Sequence, residues 1–158
     1  TIQPLRRKSI PLHIRSFQEM NAPSTIVSDF GDQNMIKTAC YIFKDNQVHV
    51  SLSTRDFSFV VEDNLSNIFA VLAKYKCQVN VMQNSAISFR FCANYDKRQF
   101  EDMLAELSEN YNVKHETNMQ LLTIYNQGED GMQDDLIDSR NIVMEQHSEK
   151  VVQFVLSE

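Results

Sequence analysis

Four histidines and three cysteines are the side chains of this sequence best suited to hold a metal or carry a nucleophilic reaction, and their spacing supports neither. His13, His49, His115 and His147 share no ligand spacing with one another or with Cys40, Cys77 or Cys92, so no metal site is expected. His115-Glu116 begins like the helix of a zinc protease, but Met119 stands where a second histidine belongs, and the segment has the pattern of a surface strand. Gly128-Glu129-Asp130-Gly131 is acidic and lacks the lysine of a phosphate loop, which makes it a turn. No nucleophile stands with a base, and no two carboxylates can be placed on one face, so the chain is expected to be catalytically inert. What remains are short polar corners, Asn80 with Ser85 and, further on, Gln146, His147 and Ser148, residue types that ordinarily satisfy turn amides.

The elements around those corners occur twice. Val79-Asn80-Val81-Met82-Gln83-Asn84-Ser85, followed by Ile87, Phe89 and Phe91, aligns at an offset of 63 residues with Ile142-Val143-Met144-Glu145-Gln146-His147-Ser148, followed by Val152 and Phe154. Each copy is an alternating apolar strand, a Gln-x-Ser corner and a second alternating strand, a hairpin with one buried face. Two similar modules that pack together are implied. Before the first copy, Val48, Val50 and Leu52 alternate with polar residues as a strand. Leu65, Ile68, Phe69 and Leu72 then mark an amphipathic helix over Asn64 to Tyr75, with Asp63 or Asn64 as its cap. After the first copy, Asp96 with Gln99 opens a second helix with Phe100, Met103, Leu104 and Leu107 as its stripe. Asn112 to Asn118 closes the unit as a strand. The order strand, helix, strand, strand, helix, strand is the split pattern in which two helices cover one face of an antiparallel sheet. The second unit has a strand at Leu121 to Ile124, a turn, a short helix over Met132 to Ser139 and the repeated strand pair. Its final helix and strand are absent, so it must lean on the first unit or a partner chain.

Residues 1–32 hold all three prolines and behave as a tail and linker, with a short strand at Ile10 to Phe17 and a turn at Asn21 to Thr25. The 158 residues, 42% hydrophobic, bury one ordinary core or two small ones, and no apolar run reaches the roughly 18 to 20 residues of a membrane span. Neither a signal peptide nor an initiator methionine opens the sequence, so it is expected to be a fragment of something longer. An odd number of scattered cysteines suits free thiols in a reducing cytoplasm. A net charge of -6 repels nucleic acid, and Arg6-Arg7-Lys8 is too short to reverse that. The strand order also describes RNA-recognition domains, but Ile87 to Phe91 lacks their glycines and basic lead-in, and Phe89 and Phe91 share the face assigned to the helices.

Val48 to Ser53 with Thr54-Arg55-Asp56, the helix from Asn64, and above all Val79 to Phe89 resemble the tandem ACT regulatory region of aspartate kinase. Thr1 to Phe17 resembles the end of that enzyme's catalytic domain, and Asn21 to Val27 its linker, with Pro23-Ser24-Thr25 where the family usually has Pro-Gly-Thr. The resemblance implies an α+β fold of ferredoxin-like ACT modules, with an antiparallel sheet, helices on one face and an incomplete second module. It implies 1–32 as the end of the catalytic domain and linker, 33–118 as the first ACT domain and 119–158 as the second. It further implies feedback inhibition by an amino-acid effector, lysine or threonine, bound where ACT modules of two subunits pair. ATP and magnesium would belong to a catalytic domain outside this sequence. The positions matching the family's effector site are Asp63, Asn64 and Leu65, where a helix N-terminus serves a carboxylate, and Gln78, Val79, Asn80, Asn84, Ser85 and Ala86, which serve the ammonium and side chain. Lysine-sensitive members tend to carry acidic groups where this sequence has Asn80 and Ala86, and glycine where it has Glu62-Asp63. Alternatives are an ACT sensor attached to another metabolic enzyme, or a module that only holds subunits together.

Overall fold

Pro4 falls in the first turn of a six-residue helix, α1 (Ile2–Arg7), where its missing N–H has no intrahelical acceptor to lose. The structure is a computed structural model that describes residues 2–28, 39–56, 58–126, 137 and 140–157. The chain forms two compact units, Thr1–Lys37 and Thr38–Glu158. In the first, α1 is followed by β1 (Leu12–Ile14) and β2 (Thr25–Val27), an antiparallel pair in the register Leu12↔Val27. The strand expected around Leu12 is present, whereas α1 is too short to show a helical period in sequence.

The second unit contains β3 (Cys40–Thr54), α2 (Glu62–Lys74), β4 (Val79–Asn84), β5 (Phe89–Asn94), α3 (Lys97–Asn110), β6 (Tyr111–Tyr125), β7 (Asn141–His147) and β8 (Val151–Ser157). Its six strands make one curled antiparallel sheet in the order β4-β5-β3-β6-β8-β7. Alternation sends Val48, Val50 and Leu52 of β3 and Phe89, Phe91 and Ala93 of β5 to one face. There Ile68 and Leu72 of α2 and Phe100, Met103 and Leu107 of α3 cover them, each large apolar side chain contributing about 1.5–3 kcal/mol on burial. The opposite face carries a second cluster, Val81, Cys92, Met119, Leu121, Met144 and Val155. Because both edge strands, β4 and β7, contribute to it, the sheet folds over on itself. Leu122, Ile124, Val152, Phe154 and Leu156 make a third cluster on the outer face of the second half.

The two long strands differ from expectation. The strand expected at Val48 to Ser53 begins at Cys40, and the strands expected at Asn112 to Asn118 and from Leu121 are a single β6, so the 118/119 division falls within it. Both strands bend at the same level. Asn46 and Asn118 have φ of 55° and 60°, and the β3–β6 register shifts between Lys44 and Gln47 and again between Gln47 and His49. Asparagine tolerates the left-handed region better than any other residue with a β-carbon, so two asparagines let a 15-residue strand turn a corner without ending. Beyond the bend, Cys40 to Lys44 pairs with Leu121 to Tyr125 of β6. That is the position of a fourth strand in the second module. Its expected missing strand is thus supplied by β3, and what the second module lacks, among the described residues, is a counterpart of α3.

The repeat is exact enough to extend to irregularities. Register shifts fall between Val79 and Val81 in one copy and between Ile142 and Met144 in the other. Both corners close alike: Ser85 donates its amide to Ser88 O at 2.8 Å, and Ser148 donates its amide to Val151 O at 2.9 Å. The short helix over Met132 to Ser139 lies outside the described residues apart from Ile137, as do the turn at Gly128 and Gly131 and the division at residue 32.

Candidate functional site

The helix that offers amides to an anion starts two residues earlier than its sequence pattern suggests. Val61, in extended conformation, is the N-cap of α2, so Asp63 and Asn64 lie inside the helix and do not cap it. Asn64 reaches back instead, its Oδ1 accepting the Val61 amide at 3.0 Å, while its own carbonyl accepts the Tyr111 hydroxyl at 3.2 Å. The amides of Glu62, Asp63 and Asn64 belong to the first turn, whose N–H groups have no intrahelical acceptor. The exposed carboxylates of Glu62 and Asp63 sit favourably in the same positive field.

The segment before α2 is tied to the β4–β5 corner by Val60 N–H donating to Ala86 O at 2.8 Å. Asp63, Asn64, Leu65, Asn84, Ser85 and Ala86 therefore share one end of the hairpin. The Ser85 hydroxyl is committed to the corner, within 3.1 Å of Ser88 O and 2.8 Å of Ser88 Oγ. Gln78, Val79 and Asn80 lie at the other end of β4. At about 3.3 Å per residue, Asn80 and Ser85 are about 16 Å apart, farther than one extended free amino acid reaches. One chain thus brings the nine expected residues together as two groups.

The Asn80 group is embedded in a polar network that no local pattern announces. Asn80 is the bulge residue of β4, and its Nδ2 donates to Gln47 Oε1 at 2.6 Å and to Asn94 Oδ1 at 2.9 Å. Its Oδ1 accepts the Lys44 ammonium at 2.9 Å. Gln47, 1% exposed, also donates to Asp45 O at 2.9 Å, and Asn94 donates to Gln78 Oε1 at 2.6 Å. Lys44, Gln47 and Asn94 are functional candidates the sequence pattern misses; the sole hint is a glutamine entering an apolar run at Val48.

Two cavities flank these ends. One of about 290 Å³ beside α2 is lined by Thr54, Arg55, Asp56, Ser58, Asn64 and Asn67. Its polar groups largely answer one another: Thr54 donates to Ser58 O at 2.6 Å, and hydrogen bonds from Ser58 hold the Asp56 carboxyl below its usual range. The other, about 320 Å³, lies between the end of α2 and the start of α3, with Tyr75, Cys77, Phe100 and Met103 facing Gln78 and Asn94. Burial pushes the Cys77 thiol up to about 11 and that of Cys92 to about 12, so both are neutral thiols. All three cysteines are free. Among the described residues no group of three His, Cys, Asp or Glu could hold a metal ion, and no helix is long and apolar enough to cross a membrane. His115 and Glu116 are exposed on strand β6, as their pattern predicts.

The fold and the duplicated hairpins define a pair of interlocked ferredoxin-like modules of the ACT type. Solved structures that share this fold over nearly the whole chain include aspartokinases. Escherichia coli aspartokinase III, in complex with lysine and aspartate in its T-state, matches over 99% of this chain with TM-score 0.75 and 19% identity. Clostridium acetobutylicum aspartate kinase matches over 98% with TM-score 0.79 and 16% identity. A putative C-terminal regulatory domain of aspartate kinase from Porphyromonas gingivalis matches over 76% of this chain and 86% of its own length, with TM-score 0.62 and 14% identity. The chain spans 37% and 39% of the first two. At such identities the likeness is one of fold. No family model and no curated protein sequence matches.

Proposed function

We propose that this chain is the C-terminal regulatory region of an aspartate kinase, which senses an amino-acid end product, lysine or threonine, and mediates feedback inhibition of aspartate phosphorylation in the cytoplasm. The observation that carries the reading is the extent of the fold likeness, which in the longer enzymes runs through both units and not only the ACT pair. Residues 1–32 are then the end of the catalytic domain and its linker, 33–118 and 119–158 the two ACT modules. Phe17, 90% exposed, and Ile10, Ile14 and Ile26 of the first unit are apolar surface that the rest of a catalytic domain would cover. ATP and magnesium act in that domain.

The hairpin geometry supports a site shared by two copies. Among the described residues β4 pairs only with β5, and beside its free edge Phe59, Val61, Phe69, Met82 and Ile87 are exposed. Antiparallel pairing of two β4 edges sets the Gln78-Val79-Asn80 end of one chain beside the Asn84-Ser85-Ala86 end of the other. The two groups of expected residues then meet around one effector, with the first-turn amides of α2 for its carboxylate. Such a ligand acts by differential affinity for the inhibited and active arrangements.

Titration calorimetry of the chain with lysine, threonine, methionine and aspartate, with its mass followed by sedimentation, tests this. The expected outcome is saturable heat from one amino acid and a dimer at micromolar concentration. A monomer that binds none of them overturns the reading, and a dimer that binds none leaves a module that holds subunits together.

A further inference from the structure

The ammonium of Lys44 lies 2.9 Å from Asn80 Oδ1, one of the polar groups of the proposed effector site. We infer that the effector's side chain faces this pair and that Lys44 sets the specificity of the site, which takes an α-amino acid whose side chain carries no positive charge and excludes lysine. The inference rests on the sensor reading above and narrows it.

Asn80 cannot turn to offer anything else. Both hydrogens of its amide nitrogen are used, by Gln47 Oε1 and Asn94 Oδ1, so its oxygen must face Lys44. Gln47 is buried, which fixes the orientation of the whole set. A lysine effector would bring a second ammonium to an oxygen already serving one. Among the described residues no carboxylate forms an ion pair with Lys44. Asp45, its neighbour along β3, accepts from Gln120 Nε2 at 2.5 Å, and successive side chains of a strand point to opposite faces. On the helix-free face, Glu116 lies across from His49, five residues along β3 from Lys44, and Arg90 and Lys114 lie across from Ser51, further off still. Glu62 and Asp63 lie at the α2 end, among the amides that would hold the effector's own carboxylate. Ala86 contributes a methyl group and no counter-charge. A neutral hydroxyl side chain, as in threonine, can donate to the remaining lone pair of Asn80 Oδ1.

Calorimetry on the wild-type chain and on Lys44→Gln, with threonine and lysine at low and high salt, decides the matter. Threonine is expected to bind wild type at least about tenfold more tightly than lysine, with the gap narrowing as salt screens the repulsion. Lys44→Gln is expected to raise lysine affinity by about tenfold or more while threonine affinity changes little. Lysine binding more tightly than threonine to wild type, or an unchanged ratio in Lys44→Gln, overturns the inference and leaves the sensor reading standing. Binding of no amino acid by either protein overturns both. Circular dichroism confirms that the variant keeps its fold; should it not, Lys44→Arg, which keeps the charge, is expected to keep the discrimination, and its loss there overturns the inference.

Discussion

His49 is a buried imidazole in the middle of β3, 7% exposed, whose Nε2 has no hydrogen-bond partner among the described residues. Its cross-strand neighbours are Cys92 on β5 and Glu116 on β6. Burial holds its pKa below the usual 6.5, Glu116 pulls it upward, and Arg90 pushes it down. The unfolded chain therefore binds a proton near pH 6.5 that the folded chain resists. Stability from this residue is fully present above that pH and is lost as pH falls below it. Urea midpoints measured between pH 7.5 and 5.5 are expected to fall with pH in wild type and to fall less in His49→Leu. Equal slopes would show that the fold leaves the protonation of His49 as it is in the unfolded chain. At this scale the sequence was silent about the contacts that hold the candidate site. The odd number and wide spacing of the cysteines pointed to the free thiols found, while the Lys44–Asn80 contact joins residues 36 apart in sequence that no local period connects.

At the scale of elements, α3 shows why some boundaries are legible. Asp96 is its N-cap, and the carboxylate accepts the Arg98 amide at 3.0 Å. The Asp96 cap and the Phe100-Met103-Leu107 stripe agree, so the start of α3 falls where the sequence places it, without the reach-back expected of Gln99. Replacing Asp96 by Ala is expected to destabilise the chain by about 1 kcal/mol, read from the urea midpoint, with Asp96→Asn close to wild type. In α2 the two signals conflict. Asp63 and Asn64 have the composition of caps, but the helix enters from Val60, which is anchored to the β4–β5 corner, and a backbone tie outweighs a side-chain preference. The long strands were illegible for a related reason. Asn46 and Asn118 are residues that ordinarily end strands, and only pairing across the sheet carries the chain straight through them.

For the molecule as a whole, the sharing of β3 and β6 between modules predicts joint unfolding. Ile68 belongs to the core under α2 and Ile124 to the outer cluster of the second half, and both are fully buried. Ile68→Val and Ile124→Val are each expected to cost about 0.5–1.5 kcal/mol. Each should shift one common transition, seen alike by circular dichroism and by the fluorescence of the five tyrosines, in a chain without tryptophan. Two separable transitions would mean that the modules fold independently. The duplication was visible in the sequence because each hairpin is local. The interlock was not, because it depends on Cys40 to Lys44 reaching a partner strand about eighty residues further along the chain.

That interlock also bears on how copies of this chain can meet. A copy opened at the two bends presents, in each half, a long strand whose outer portion fits the place its sister strand has left. A second opened copy offers the same two places. Reciprocal exchange would then rebuild both six-stranded sheets from two chains, using only pairings already present within one, with the two asparagines as its pivots.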